Sequence, residues 1–340
     1  MKKALFSDIL ENNSLRCTIC QRRCIIGNGQ YGFCHTRINK EGTIYSLAYG
    51  QVSTLTFAPI EKKPLFHFYP GSIWLSLGTL GCNFLCPGCQ NWEIAHKKFH
   101  SDRNSITQYL PPKEAINIAK KRKSMGLSFT YNEPSVWFEY TLDCARLAKK
   151  EGLFTNYVTN GFITSEALDE IGPWLDAYRV DIKGFTAGLY KKIAGISSFD
   201  EILENTVRAK KKWEMHIEIV TNIIPTYNDD DCQLNAIASW IASELGKNTP
   251  WHVTRFVPHL KLSTLMQTPV ETLERARTIG IDQGLRYVYI GNLFRHPAEN
   301  TYCPECNMLL IERDSFSVGN NLIKNGQCPN CETIIPGRWK

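Results

Sequence analysis

The sequence predicts an α/β protein: a partial (β/α)6-type barrel with a small Cys-rich module before it and a zinc-ribbon or rubredoxin-like module after it. Three observations carry this expectation. Strand-like and helix-like segments alternate through the middle of the 340-residue chain. A strand pattern there runs into three cysteines spaced C-x3-C-x2-C. Each flank carries four more cysteines in closely spaced sets. A chain of this length holds one large domain with small appendages. The expected divisions are 1–70 for the N-terminal module and a hairpin, 71–295 for the core and 296–340 for the ribbon.

Composition narrows the class. Hydrophobic residues make up 43% and charged residues 21%, as in a soluble globular protein. No run of 18 apolar residues occurs, and Met1 to Ser14 lacks the apolar centre of a signal peptide, so a cytoplasmic location is expected. The 13 cysteines are odd in number and clustered, which favours metal ligation over disulfides. A net charge of +6 suits an anionic substrate or partner, requires neither, and leaves nucleic acid open.

Taken in order, Cys17, Cys20, Cys24 and Cys34 come first, spaced C-x2-C-x3-C-x9-C with glycines between. Four thiolates on a coreless segment suit a metal that orders it: zinc, or an auxiliary iron–sulfur cluster. Thr43 to Thr56 then alternates and reads as strands of a hairpin, with a turn at Asn39 to Gly42. The turn-rich stretch Pro59 to Gly71 offers Glu61, Lys62, Lys63 and His67 to a site mouth, or serves as a linker.

Ile73 to Thr79 alternates as a strand. It delivers Cys82, Cys86 and Cys89. Three thiolates hold three irons of a cubane and leave the fourth open to an exogenous ligand. Beyond them, strands are expected at Leu127 to Tyr131, Phe154 to Thr159, Ala177 to Ile182, His216 to Asn222, Trp251 to Val257 and Leu285 to Ile290. Helical patterns accompany them at about Pro112 to Met125, Ser135 to Glu151, Ser165 to Leu175, Phe199 to Trp213, Asp229 to Leu245 and Thr272 to Gly284, and that alternation predicts parallel βα units. In such a barrel the working residues stand just past strand ends. These are Glu133, Thr159 with Asn160, Asp181 with Lys183, and His259. Asn228 and Asp229 are expected to cap the next helix. Cys144 and Cys232 lie in helical patterns as buried or half-buried thiols. Finally, Cys303, Cys306, Cys328 and Cys331 follow C-x2-C-x21-C-x2-C, a tetrahedral site for zinc or iron.

The cluster loop resembles the signature of the radical S-adenosylmethionine (SAM) superfamily. Glu61-Lys62-Lys63-Pro64-Leu65, Gly81-Cys82-Asn83, Cys89-Gln90-Asn91-Trp92, Thr130-Tyr131-Asn132-Glu133-Pro134 and Tyr289-Ile290-Gly291-Asn292, with both cysteine modules, resemble one subfamily. It is the radical SAM enzyme of the AmmeMemoRadiSam system, related to pyruvate formate-lyase activating enzyme. The resemblance implies a radical SAM barrel, a [4Fe–4S] cluster on Cys82, Cys86 and Cys89, and SAM on the open iron. Reductive cleavage of SAM would yield a 5′-deoxyadenosyl radical that abstracts hydrogen from an unidentified substrate. Glu133 would receive the SAM ammonium, while Thr159, Asn160, Asp181 and Lys183 would surround its methionine and ribose. His259 is a candidate contact for adenosine or substrate. The family's aromatic residue before the third cysteine is Gly88 here, with Trp92 a candidate replacement. The acid before its Thr-Asn-Gly turn is Val158. Implied partners are an electron donor such as flavodoxin or ferredoxin, and Memo-like and AMMECR-like proteins. Two alternatives stand beside this reading: a glycyl-radical activase acting on a protein backbone, and a non-catalytic, metal-stapled RNA- or protein-binding protein.

Overall fold

The computed structural model describes residues 1–99 and 106–339. Among the described residues, eight strands form the principal sheet: β1 (Thr54–Pro59), β2 (Ile73–Gly78), β3 (Gly126–Phe129), β4 (Phe154–Thr159), β5 (Ala177–Asp181), β6 (His216–Ile223), β7 (Trp251–Arg255) and β8 (Val288–Gly291). They lie side by side in chain order. β1 is antiparallel to β2, and every later neighbour is parallel. The sheet is open, because β1 and β8 stay at its two edges. The parallel run is the cluster strand and the six strands after it.

The crossovers carry α1 (Pro112–Lys121), α2 (Phe138–Lys150), α3 (Ser165–Ile171), α4 (Ala187–Ile193), α5 (Asp200–Lys211), α6 (Asp231–Trp240) and α7 (Val270–Asp282). All but α4 match expected helices; α4 is two turns long and sits among glycines, which leaves little periodicity to see. Local chemistry sets the starts. The Thr164 hydroxyl accepts from Ala167 N at 3.3 Å and begins α3. Asp230 accepts from Gln233 N at 3.0 Å and begins α6. Asn228 and Asp229, the expected caps, instead close the preceding turn by accepting from Ile224 N and Thr226 N. Cys144 is buried in α2, whereas Cys232 is exposed on α6.

The N-terminal hairpin pairs Arg37–Lys40 with Thr43–Ser46. Its turn residues Glu41 and Gly42 have φ of 49° and 75°, the two left-handed positions of a type I′ turn. The later part of the alternating run, Thr54–Pro59, joins the principal sheet as β1 instead. Arg37 crosses to α2 and pairs with Glu139 at 2.7 Å, both side chains buried. One apolar cluster continues from Leu15 and Ile26 into Leu75, Leu127 and Ile219 of the sheet. The C-terminal strands Thr301–Tyr302, Leu309–Asp314 and Ser317–Asn321 pair antiparallel. Their Leu310 and Ile311 pack on Phe66, Tyr287 and Tyr289. No described helix is long and apolar enough to cross a membrane.

Candidate active site

The loop after β2 is held from three sides. At Gly81, φ is 85° and an added Cβ would lie 2.4 Å from the Cys34 carbonyl oxygen, so only glycine lets the loop lean on the N-terminal module. Asn132 Nδ2 donates to the Gly81 carbonyl at 2.8 Å, and its Oδ1 accepts from Thr79 N at 3.1 Å. Asn160 Nδ2 donates to Asn83 Oδ1 at 2.8 Å. Arg22, stacked 3.5 Å from the centre of the Phe33 ring, donates to the Asn83 carbonyl. Cys82, Cys86 and Cys89 thereby line one cavity of about 420 Å³ with Glu133, Thr159, Asn160, Asp181 and Lys183. Burial pushes all three thiols up, Cys89 to about 11. Three sulfurs on one loop facing one cavity are the ligands a three-cysteine cluster takes, and binding would displace their protons. The donor set therefore fits a three-cysteine cluster.

The charges in the cavity are arranged by strand-end geometry. Glu133 accepts from Ser135 N (3.0 Å), Asn160 N (2.8 Å) and the Thr159 hydroxyl (2.8 and 2.9 Å). Three donors meet a carboxylate with four lone-pair positions. Burial raises its pKa against those bonds. Asp181 accepts from Arg179 at 2.5 Å and from Lys183 at 3.3 Å. Burial opposes both charges, but Arg179 and Lys183 hold the carboxyl low, and Asp181 and Cys86 hold the Lys183 ammonium high. Arg179 was not foreseen, although alternation puts residues 179 and 181 on one strand face. Tyr131 has φ of 75°, a costly conformation for a bulky residue. It places its ring 4.6 Å from Lys63 Nζ and its hydroxyl 2.6 Å from the Thr56 hydroxyl. Gly88 is filled from elsewhere: a Cβ there would meet Leu262 at 3.0 Å and Phe256 at 3.1 Å. His259, on the loop past β7, and the half-exposed Trp92 are not among the lining residues.

The stretch Pro59 to Gly71 divides. Lys62 and Lys63 line the cavity. His67 is buried in a separate network centred on Glu218, near the start of β6, and Glu61, which accepts from Gly71 N at 2.9 Å and pairs with Arg313 at 4.0 Å, is buried at its edge. Glu218 accepts from Phe66 N (3.0 Å), His67 N (2.7 Å), His216 Nε2 (2.8 Å) and His252 Nε2 (2.6 Å). His67 Nδ1 lies 2.7 Å from the Pro336 carbonyl, which can only accept. That fixes the proton on Nδ1 and leaves Nε2 to accept from the Tyr289 hydroxyl at 2.6 Å.

At the N-terminus, burial raises Cys17 to about 11 and lifts Cys20 and Cys24 as well, and Cys34 lies near enough to all three to add to the rise. The C-terminal four are tighter. Sγ atoms of Cys303, Cys306, Cys328 and Cys331 all lie within 4.8 Å of one another, with 3.5 Å between Cys303 and Cys331 and 3.7 Å between Cys306 and Cys328. A tetrahedron of sulfurs about 2.3 Å from one ion has edges near these values. A single metal fits.

Comparison with known proteins agrees with this geometry. The radical SAM superfamily model matches residues 77–236. An uncharacterised protein of Methanocaldococcus jannaschii is 42% identical over 97% of this chain and 98% of its own length. Pyruvate formate-lyase 1-activating enzyme of Escherichia coli K12 is 23% identical over 58% of this chain and 85% of its own. Among solved structures, a radical SAM methyltransferase from Sphaerobacter thermophilus shares the fold at a TM-score of 0.52, 15% identity, 66% of this chain and 68% of that one. Residues 77–236 are a radical SAM superfamily domain.

Proposed function

We propose that the protein reductively cleaves SAM at a [4Fe–4S] cluster on Cys82, Cys86 and Cys89 and directs the resulting radical to a hydrogen atom of a substrate in the same cavity. The observation that carries this is the shared wall: three thiols held by one loop face Glu133, Asp181 and Lys183 across one space. When bound, the cluster supplies the electron that breaks the S–C5′ bond of SAM. The chain's own residues position and shield. Glu133 offers its remaining lone pair to the SAM ammonium. Lys183 offers a charge to the SAM carboxylate, and Asp181 accepts from ribose hydroxyls. Thr159 orients Glu133, and Asn160 and Asn132 hold the cysteine loop. The buried cavity walls keep water from the radical.

The finer assignment is the radical SAM enzyme of the AmmeMemoRadiSam system. It would be cytoplasmic, take its electron from a flavodoxin or ferredoxin, and work with Memo-like and AMMECR-like proteins. Its core, 71–295, is flanked by the Cys17–Cys34 module, holding zinc or a second cluster, and by a ribbon holding zinc or iron. The subfamily resemblance and the single-ion spacing of the ribbon sulfurs support this.

The test is anaerobic reconstitution, reduction with dithionite in the presence of SAM, and assay of 5′-deoxyadenosine, with iron, sulfide and zinc counted on one sample. Equal product from Cys86→Ala would sink the assignment. No product from wild type, with or without cell extract, favours a metal-stapled binding protein. A glycyl EPR signal in a partner would identify an activase.

A further inference from the structure

Lys63 and Arg179 stand apart from the other charges in the cavity. Lys63 is 2% exposed and Arg179 9% exposed, and both line the cavity. Among the described residues, no carboxylate pairs with Lys63; its charge rests on the face of Tyr131. Burial, with Lys62 and Arg179 nearby, pushes its pKa down to about 7. Arg179 spends Nη1 on Asp181, and its Nε is buried with no partner. A desolvated amine without an anion gives up its charge readily and regains it when an anionic ligand completes the site. The balance of the whole cavity has the same sign. Lys62, Lys63, Arg179 and Lys183 face only Glu133 and Asp181. An oxidised cubane on three thiolates adds one negative charge and SAM adds one positive, so loading both leaves the cationic excess in place.

We propose that Lys63 and Arg179 form a subsite for an oxyanion, a carboxylate or a phosphate, borne by the substrate. Lys63 supplies a point charge and Arg179 a guanidinium that Asp181 engages through Nη1. The subsite rests on the reading of this cavity as a SAM-dependent active site, and it gives that site a substrate class: a small anionic molecule, or an anionic group on a larger one. Phe316, at the tip of the ribbon hairpin, lines the same cavity about 6.0 Å from Lys62 Nζ. The ribbon therefore forms part of the wall beside the substrate.

Cluster-loaded protein, saturated with SAM and left unreduced, is titrated calorimetrically with sulfate and separately with acetate. Sulfate stands for phosphate and acetate for carboxylate; the tighter of the two names the source of the oxyanion. Lys63→Met is expected to weaken binding about tenfold to a hundredfold, as for loss of a charged hydrogen bond. Lys63→Arg keeps the charge and is expected to retain binding, and Lys113→Met, on the exposed side of α1, is expected to match wild type. Removing an unpaired buried charge is also expected to leave Lys63→Met melting no lower than wild type. Equal binding by wild type and Lys63→Met, no binding of either anion to wild type, or competition between SAM and the anion overturns the proposal. Competition would assign the pair to the SAM carboxylate instead. The titration needs no turnover, so absence of 5′-deoxyadenosine sinks the SAM reading separately.

Discussion

Glu133 and Glu218 are both buried carboxylates of the same sheet, and they are satisfied differently. Glu218, near the start of β6, receives four donors, two from backbone and two from histidines. Every lone pair is used, and His216 and His252 hold its pKa well below the usual carboxylate range despite burial. Glu133, past the end of β3, receives three donors, and burial wins, raising its pKa. Further along the face of β6 that carries Glu218, roughly 13 Å away, Asn222 lines the cavity. One region is closed and joins the strap Phe66-His67, three core strands and the C-terminal module. The other holds three thiols, a lysine without a carboxylate and an arginine nitrogen without a partner. A saturated carboxylate holds a fold together; an unsaturated one leaves a position for a ligand.

The largest effect is expected from Cys86→Ala. It should abolish 5′-deoxyadenosine formation while thermal unfolding shifts by only a few degrees, since one small loop side chain is lost. Glu218→Ala should do the reverse. It strips a shared acceptor from two histidines and two backbone amides and should cost about 3–5 kcal/mol in denaturant unfolding. Cluster iron and sulfide per folded molecule should stay unchanged. If Glu218→Ala instead lost its cluster while remaining stable, the division between the two regions would fail.

Within a pH titration of stability, His67 reports on the closed region. Burial pushes His67 down to about 4, so between pH 6.5 and 4 the unfolded chain binds the proton that the folded chain excludes. The His67 contribution to stability should therefore fall as pH drops through that window, by up to about 3 kcal/mol, while Glu299, raised to about 7 by burial, contributes in the opposite sense. Glu218 adds to the loss at still lower pH, because its depressed pKa contributes stability only above the ordinary carboxylate value. Denaturant midpoints of wild type and His67→Gln measured from pH 7 to 4 check this; a difference between the two that does not change with pH would contradict the buried neutral imidazole. The smallest effect is expected from Thr159→Val. Loss of one hydroxyl donor to Glu133 should weaken SAM binding by about 1.5 kcal/mol, roughly tenfold, and cost about 1 kcal/mol of stability because Gly161 N loses its acceptor. Equal SAM affinity would mean that Glu133 does not meet the ammonium.

Some of this was legible locally. β4 has the bounds expected of it, and β5 and β6 differ from expectation by one residue each, because buried apolar runs between turn residues repeat on the scale of the strand itself. The cysteine loop was visible because its ligands are close in sequence. The fate of Pro59 to Gly71 was not. Glu61, Lys62, Lys63 and His67 look alike as a string, yet the two lysines enter the cavity, His67 enters the buried network and Glu61 is buried at its edge. The contacts that sort them reach to Glu218, Tyr289 and Pro336, more than a hundred residues away. His259 shows the converse: a strand-end histidine satisfies the rule for a parallel barrel but is not among the lining residues, because the rule fixes an end of the sheet and not a direction for the side chain.

What the sequence determined by itself was the alternation that builds a parallel sheet, the loop that presents three thiols and the spacing of the terminal knuckles. These depend on residues within a turn or a strand of one another, where periodicity and short spacing act. The tertiary structure alone decided which buried charges are neutralised. Coulomb energy and desolvation depend on distance and burial, and chain separation carries neither. Glu218 became a filled acceptor, Glu133 kept a lone pair, and Lys63 was left facing a cavity with no carboxylate of its own.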